Sequence, residues 1–176
     1  MDMSGTRLIA ASQDQVWQAL LDPDILKACV PGCQELSGSV EEGFTATVVQ
    51  KVGPVKATFK GEVTFPSLNA PDSLTLSGEG KGGAAGFAKG SADVRLGAAG
   101  DSTELTYDVQ AKVGGKLAQL GSRIIDGFAR KMADQFFDRF QAAVEQPDRG
   151  AAASDDAPAQ ATEKKSWLKR LVPGQS

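Results

Sequence analysis

The side chains that most often carry catalysis or hold a metal are scarce in this chain. Its 176 residues include no histidine and two cysteines, Cys29 and Cys33. Without histidine, proton transfer and metal binding would depend on carboxylates, lysines and these two thiols. Two thiols with no further ligand nearby fall short of a zinc site, and free thiols in a reducing compartment are the expected state. No nucleophile with an adjacent base is recognisable, so the sequence favours a protein that is not an enzyme and holds no metal.

Composition limits the other classes of function. A formal charge of -3 and a pI near 5.0 give no overall attraction to nucleic acid. The glycine-rich run 78–90 lacks the spacing of a phosphate-binding loop and lies between two strand patterns, so we interpret it as a hairpin of small residues. The chain contains no run of about eighteen apolar residues and its first ten residues do not resemble a signal peptide. We therefore expect a soluble, non-secreted protein in the cytoplasm.

Alternating apolar and polar residues predict an antiparallel sheet. Residues 4–10 form the first candidate strand, and from Cys33 to Val113 the period is two, with turn signals at hairpin spacing. Between these regions, Ser12 caps one short helix and Pro23 begins another. The sequence thus predicts an α+β fold with two short helices after the first strand and about six further strands.

One long helix is predicted to follow the sheet, from Gly114 to Val144. Apolar residues recur in it at steps of three and four, which places them along one side: Leu117, Leu120, Ile124, Phe128, Met132, Phe136 and Phe140. A stripe this wide must be buried against another surface, and the sheet is the surface available.

Small residues on both predicted facing surfaces leave two packing outcomes open. The helix either lies close on the sheet, or its bulky residues hold it away and enclose an apolar pocket. If a pocket exists, a hydrophobic small molecule is its expected ligand, and the candidate ligand-binding residues are Phe59, Gly61, Val63, Leu76, Ala92, Tyr107, Leu117, Leu120, Gly121, Ile124 and Phe128. Among these, Tyr107 could offer its hydroxyl to the ligand, although a bond to the backbone is the more common role of a buried tyrosine.

The last thirty or so residues differ in composition from the rest. Residues 146–162 are rich in Ala, Asp and Pro, which is typical of a disordered tether after a domain spanning residues 1–145. Residues 163–176 form a short basic segment with an apolar side, which predicts contact with an anionic membrane through Lys164, Lys165, Trp167, Leu168, Lys169, Arg170 and Leu171. A solvated tail or a motif that binds a partner protein are the alternatives.

The order of elements resembles the helix-grip fold of START and birch-pollen-allergen proteins. In that fold a curved antiparallel sheet of about six to seven strands surrounds a long C-terminal helix over a hydrophobic cavity. Within this superfamily, four motifs resemble the family of the carbon monoxide dehydrogenase accessory protein CoxG: Leu21-Asp22-Pro23, Ala28-Cys29-Val30-Pro31-Gly32-Cys33, Gly78-Glu79-Gly80-Lys81-Gly82-Gly83 and Gly115-Lys116-Leu117-Ala118-Gln119-Leu120-Gly121-Ser122-Arg123. The resemblance extends from Met1 to about Val144.

The resemblance implies a non-catalytic accessory protein of a molybdenum hydroxylase, either carbon monoxide dehydrogenase or a related enzyme of the xanthine dehydrogenase type. Such a protein would bind a respiratory quinone, menaquinone or ubiquinone, without a covalent bond. It would bring the enzyme to the inner face of the cytoplasmic membrane for electron transfer. Two other hypotheses remain: a small enzyme of the same fold using Tyr107 with an inward carboxylate, and an assembly factor for the hydroxylase with a filled core.

Overall fold

The computed structural model describes residues Met1–Glu145. Contacts between residues divide the chain into the units Met1–Gln141 and Ala142–Ser176, and the architecture below is that of the first unit. The predicted tether at 146–162 and the predicted membrane-contacting segment at 163–176 lie outside the described residues. Of the helices in Met1–Glu145, none has the length and hydropathy needed to cross a bilayer.

A seven-stranded antiparallel sheet forms most of the domain. Its spatial order is β1-β7-β6-β5-β4-β3-β2, so every pair of strands that is consecutive from β2 to β7 is a neighbouring hairpin. The strands are β1 (Asp2–Ile9), β2 (Cys33–Ser39), β3 (Gly43–Val52), β4 (Val55–Asn69), β5 (Ser73–Lys81), β6 (Phe87–Ala99) and β7 (Ser102–Gly114). The predicted period-two strands and their antiparallel arrangement are confirmed, since alternation sorts each strand into an inner apolar and an outer polar face.

Two short helices follow the first strand, as the sequence predicts. Helix α1 (Gln13–Leu20) begins with a capping box between Ser12 and Gln15, and α2 (Pro23–Cys29) is capped by the Asp22 carboxylate. The buried Thr103 hydroxyl on β7 donates a 2.8 Å hydrogen bond to the Ala11 carbonyl, just before α1. These contacts fix the helices beside the sheet.

The long helix begins later than predicted. Strand β7 continues to Gly114, a 3-10 helix covers Gly115–Leu120, and helix α3 spans Ser122–Val144. Two glycines impose this break, because Gly115 and Gly121 have φ angles of +74° and +89° that do not occur inside an α-helix. Gly115 also lies so close to Gly86 that a Cβ on it would be 2.6 Å from the Gly86 Cα. The prediction of one continuous helix from Gly114 was therefore wrong.

The break changes which residues of the first turn face the sheet. Ile125 is buried, whereas Ile124, which the predicted stripe contains, is 42% exposed. Further along the helix, Phe128, Met132 and Phe136 line the interior and Phe140 is fully buried, in agreement with the predicted stripe.

Helix α3 is held against the sheet at two places. Near its start, Ile125 forms a buried cluster with Val52 of β3 and Leu117 of the 3-10 helix. Near its end, the Arg7 guanidinium of β1 donates hydrogen bonds to Asp134 at 3.2 Å, Asp138 at 3.0 Å and Gln141 at 3.0 Å. Its carbon Cζ also lies 5.6 Å from the centre of the Phe137 ring.

We expect Arg7→Gln to lower the free energy of unfolding by about 1–2 kcal/mol, because it removes several charge-assisted contacts of a mostly buried guanidinium. Arg95→Gln is the matched control, since it breaks one exposed ion pair with Asp108 and should cost less than about 0.5 kcal/mol. Urea unfolding measures both variants. Equal effects would show that the Arg7 contacts do not hold the helix.

Candidate ligand-binding site

A cavity of about 470 Å³ separates the middle of helix α3 from the sheet. The helix contributes Ala129 and Ala133 to its wall, and the sheet contributes Gly80, Ala88 and Ala111. Because these side chains are small or absent, neither surface reaches across the gap that the bulkier residues at the two ends maintain. The other lining residues are Met1, Met3, Val30, Pro31, Val48, Gln50, Val52, Phe59, Val109, Val113, Leu117, Ile125, Phe128, Met132 and Phe136. All three methionines of the chain belong to this wall.

A second cavity of about 270 Å³ adjoins the first. Its wall includes side chains from β3 to β7 and from helices α1 and α2. Five residues line both cavities, so the two spaces are neighbouring compartments of one interior: Met3, Val30, Val109, Ala133 and Phe136. The larger cavity alone falls within the roughly 300–1,000 Å³ that is usual for small-molecule sites.

Two polar side chains line these otherwise apolar compartments. Gln50, in the larger cavity, donates an amide hydrogen to the Pro31 carbonyl. Tyr107, in the smaller one, stacks on Phe137 with ring centres 4.9 Å apart, and its hydroxyl lies over Gly5 of the neighbouring strand. Within the described part of the chain, the Tyr107 hydroxyl forms no hydrogen bond. It therefore remains a donor that a bound molecule could use.

Seven of the eleven predicted ligand-binding residues line one of the two cavities. Phe59, Leu117 and Phe128 line the larger cavity. The smaller cavity is lined by Val63, Leu76, Ala92 and Tyr107. Their contact with a ligand stays a prediction, but their positions are those that the alternating strand pattern and the helical stripe indicate.

The other four predicted residues do not line either cavity. Gly61 pairs with Ala46 and Gly80 inside the sheet and has no side chain to reach the space. Gly121 and Ile124 precede the first inward residue of α3, because the left-handed glycine ends the 3-10 helix and shifts the helical register. Leu120 packs against the cluster of Val52, Leu117 and Ile125 instead.

Sequence reasoning missed most of the wall outside the central strands and the helix stripe. Met1 and Met3 line the larger cavity because β1 pairs with β7 at the sheet edge, a pairing that only the topology shows. Val30 and Pro31, directly after α2, close another side. The signal for Ala129 and Ala133 was present in the sequence, since two alanines four residues apart lie on one side of a helix.

The two thiols lie away from the cavities and are unsuited to nucleophilic chemistry. Burial raises the pKa of the Cys29 thiol, against the opposing effect of the Arg139 charge. Burial also raises the pKa of Cys33, although a hydrogen bond to the Glu35 carbonyl and the charge of Lys27 oppose the change. A raised pKa keeps both thiols neutral near pH 7, and the thiolate is the reactive form.

No acidic or metal-binding chemistry is assembled around the cavities. Among the described residues that line them, none is an aspartate or a glutamate. Met1–Glu145 likewise contains no group of His, Cys, Asp and Glu side chains able to hold a metal ion. The arrangement can enclose an apolar molecule, and it offers that molecule few polar contacts.

Solved structures from several bacteria share this architecture. A conserved protein from Geobacillus kaustophilus is 28% identical, with a TM-score of 0.77 over 83% of this chain and 96% of that one. A START superfamily protein from Mycobacterium smegmatis is 17% identical, with a TM-score of 0.61 over 83% and 98% of the two chains. A protein from Chromobacterium violaceum is 15% identical, with a TM-score of 0.61 over 82% and 98%. The last two comparisons establish the fold, which is the START-type helix grip.

Comparison with curated proteins gave no match. The family model for CoxG, the G component of carbon monoxide dehydrogenase, matches residues 5–145. That range includes the whole of α3 and every strand except the first residues of β1. The apolar interior and the helix-grip fold agree with a hydrophobic-ligand-binding accessory protein. This chain belongs to the carbon monoxide dehydrogenase CoxG family.

Proposed function

We propose that this protein is a non-catalytic carrier that receives a prenylated quinone, menaquinone or ubiquinone, and serves a molybdenum hydroxylase at the cytoplasmic membrane. The observation that carries the proposal is the cavity of about 470 Å³ with apolar walls between α3 and the sheet. A prenylated molecule leaves a bilayer at low free-energy cost only if an equally apolar enclosure receives it.

The few polar groups of the interior suit a quinone. A quinone ring carries two carbonyl oxygens that accept hydrogen bonds and is otherwise apolar. Gln50 supplies amide hydrogens in the larger compartment, and the hydroxyl of Tyr107 is a donor in the smaller one. The remaining walls are aliphatic, aromatic or thioether and would enclose a prenyl chain.

The partner is inferred from the family. Its name associates this chain with carbon monoxide dehydrogenase, and a related hydroxylase of the xanthine dehydrogenase type would need the same electron acceptor. In our proposal the folded domain holds the quinone near the enzyme. The segment 163–176, whose lysines and tryptophan suit lipid headgroups, keeps the assembly at the inner face of the membrane.

The two alternative functions receive less support. An assembly factor with a filled core would not need the space beneath α3. An enzyme using Tyr107 would need an inward carboxylate beside it, but Tyr107 contacts Phe137 and lies over Gly5, and the described walls contain no carboxylate.

Organic extraction tests the ligand directly. Protein purified from a host that makes menaquinone or ubiquinone should release that quinone in a ratio approaching one per chain, as measured by mass spectrometry of the extract. Extracts that contain only phospholipid, or no lipid, would contradict the quinone proposal.

Ala133→Leu should weaken quinone binding at least about tenfold, because the larger side chain fills space in the wall that both cavities share. The same change should raise the melting temperature of the ligand-free protein, since it fills an apolar void. Calorimetric titration with a short-chain ubiquinone analogue measures the affinity. Ala28→Leu, at an exposed position of α2, is the control and should change neither quantity. Unchanged affinity in Ala133→Leu would place the ligand elsewhere.

Deletion of residues 163–176 should move the protein from the membrane fraction to the soluble fraction, because it removes four cations and the apolar side that we expect to contact lipid. The hydroxylase should follow it. Fractionation at matched salt, with immunodetection of both proteins, measures the shift. If both proteins stay with the membrane, this segment is not the anchor.

A further inference from the structure

Lysines face lysines across neighbouring strands on the outer surface of the sheet. Lys51 lies opposite Lys56, Lys60 opposite Lys81, and Lys89 opposite Lys112. Like charges directly opposite each other destabilise an antiparallel pair. Three such pairs in one domain are unfavourable for folding, which indicates that their charge serves another purpose.

The positive charge is concentrated in three segments of the chain. Residues 50–61, 80–92 and 109–125 contain eight lysines and arginines and no aspartate or glutamate, although the whole chain has a net charge of -3. The eight cations are all exposed: Lys51, Lys56, Lys60, Lys81, Lys89, Lys112, Lys116 and Arg123. None of them forms an ion pair with another described residue.

The fold brings these segments together at one end of the domain, which we name the basic end. The β3–β4 turn at Gly53 approaches the start of α3, where a Cβ on Gly53 would lie 3.6 Å from the Ile124 side chain. The connection between β5 and β6 meets the end of β7, where Gly86 approaches Gly114 and Gly115. The nearest outer-face carboxylates, Glu62 and Glu79, lie one pair further along the strands.

Apolar side chains are exposed among these cations. Ile124 is 42% exposed and Phe87 is 40% exposed, and both belong to the same three segments. Lysines surrounding exposed aliphatic and aromatic groups form the combination that binds the headgroup region of an anionic bilayer. The cluster of Val52, Leu117 and Ile125 lies directly beneath and forms part of the wall of the larger cavity.

We propose that the basic end of the folded domain is itself a membrane-docking surface for anionic lipid headgroups. Its lysines bind the phosphates, while Ile124 and Phe87 contact the acyl boundary. Docked in this way, the domain places the Val52, Leu117 and Ile125 wall of its cavity next to the bilayer. The inference depends on the charges and exposed side chains of Met1–Gln141 and not on the quinone or on residues 163–176.

Vesicle binding by the full chain tests this surface. The variant Lys51→Gln/Lys56→Gln/Lys116→Gln should bind vesicles of phosphatidylcholine mixed with phosphatidylglycerol at least about tenfold more weakly than the unaltered protein, since each cation near an anionic surface contributes several-fold to binding. The loss should shrink as salt is added. Removal of the Lys51–Lys56 repulsion should leave the melting temperature unchanged or raised, which separates loss of binding from loss of the fold.

The matched control changes three exposed cations outside the basic end, as Lys27→Gln/Arg130→Gln/Lys131→Gln. It alters the net charge equally and should retain most of the binding. Because residues 163–176 are intact in both variants, any contribution from them is the same. Equal binding by the two variants would overturn the proposal, as would binding by the unaltered protein to pure phosphatidylcholine with equal strength. Quinone extraction gives the same result in every one of these cases, so failure here does not test the ligand.

Discussion

Helix α3 is held at both ends and unsupported in its middle, and this constraint determines the interior. Near its start, hydrophobic packing of Ile125 with Val52 and Leu117 fixes the distance to the sheet. At the other end, Arg7 combines hydrogen bonds to two carboxylates with a contact on the Phe137 ring. Between these points, alanines face glycine and alanine, so side-chain packing cannot close the space.

An unfilled apolar space has a thermodynamic consequence. Its lining forgoes the contacts that a packed core would make, so the ligand-free domain is less stable than its composition allows. A hydrophobic occupant restores those contacts and stabilises the folded state to a degree set by its concentration and affinity. The affinity for a ligand and the incomplete packing of the free protein therefore share one physical origin.

The strands were predictable and the start of the helix was not, for identifiable reasons. Alternation in residues 55–65 and 105–113 depends only on local sequence and on the existence of one buried face. The break at Gly115 depends on the approach of Gly86, which is distant in sequence and is brought near only by the pairing of β6 with β7. Because the 3-10 helix replaces the first turns of the expected helix, Ile125 faces inward and Ile124 does not. The cavity followed the same division: strand period alone assigns Phe59 and Val63 to the interior, while Met3 required knowledge that β1 lies beside β7. The choice between close packing and a pocket stayed open, because it depends on how far the two ends of the helix are held from the sheet.

The methionine content of the wall affects how selective the carrier can be. Thioether side chains are unbranched, polarisable and rotate at low energetic cost, so Met1, Met3 and Met132 can rearrange around rings and tails of different shape. A wall of branched aliphatic residues would instead fix one outline. The protein is therefore suited to accept whichever member of a lipid class its host synthesises, with little change in sequence.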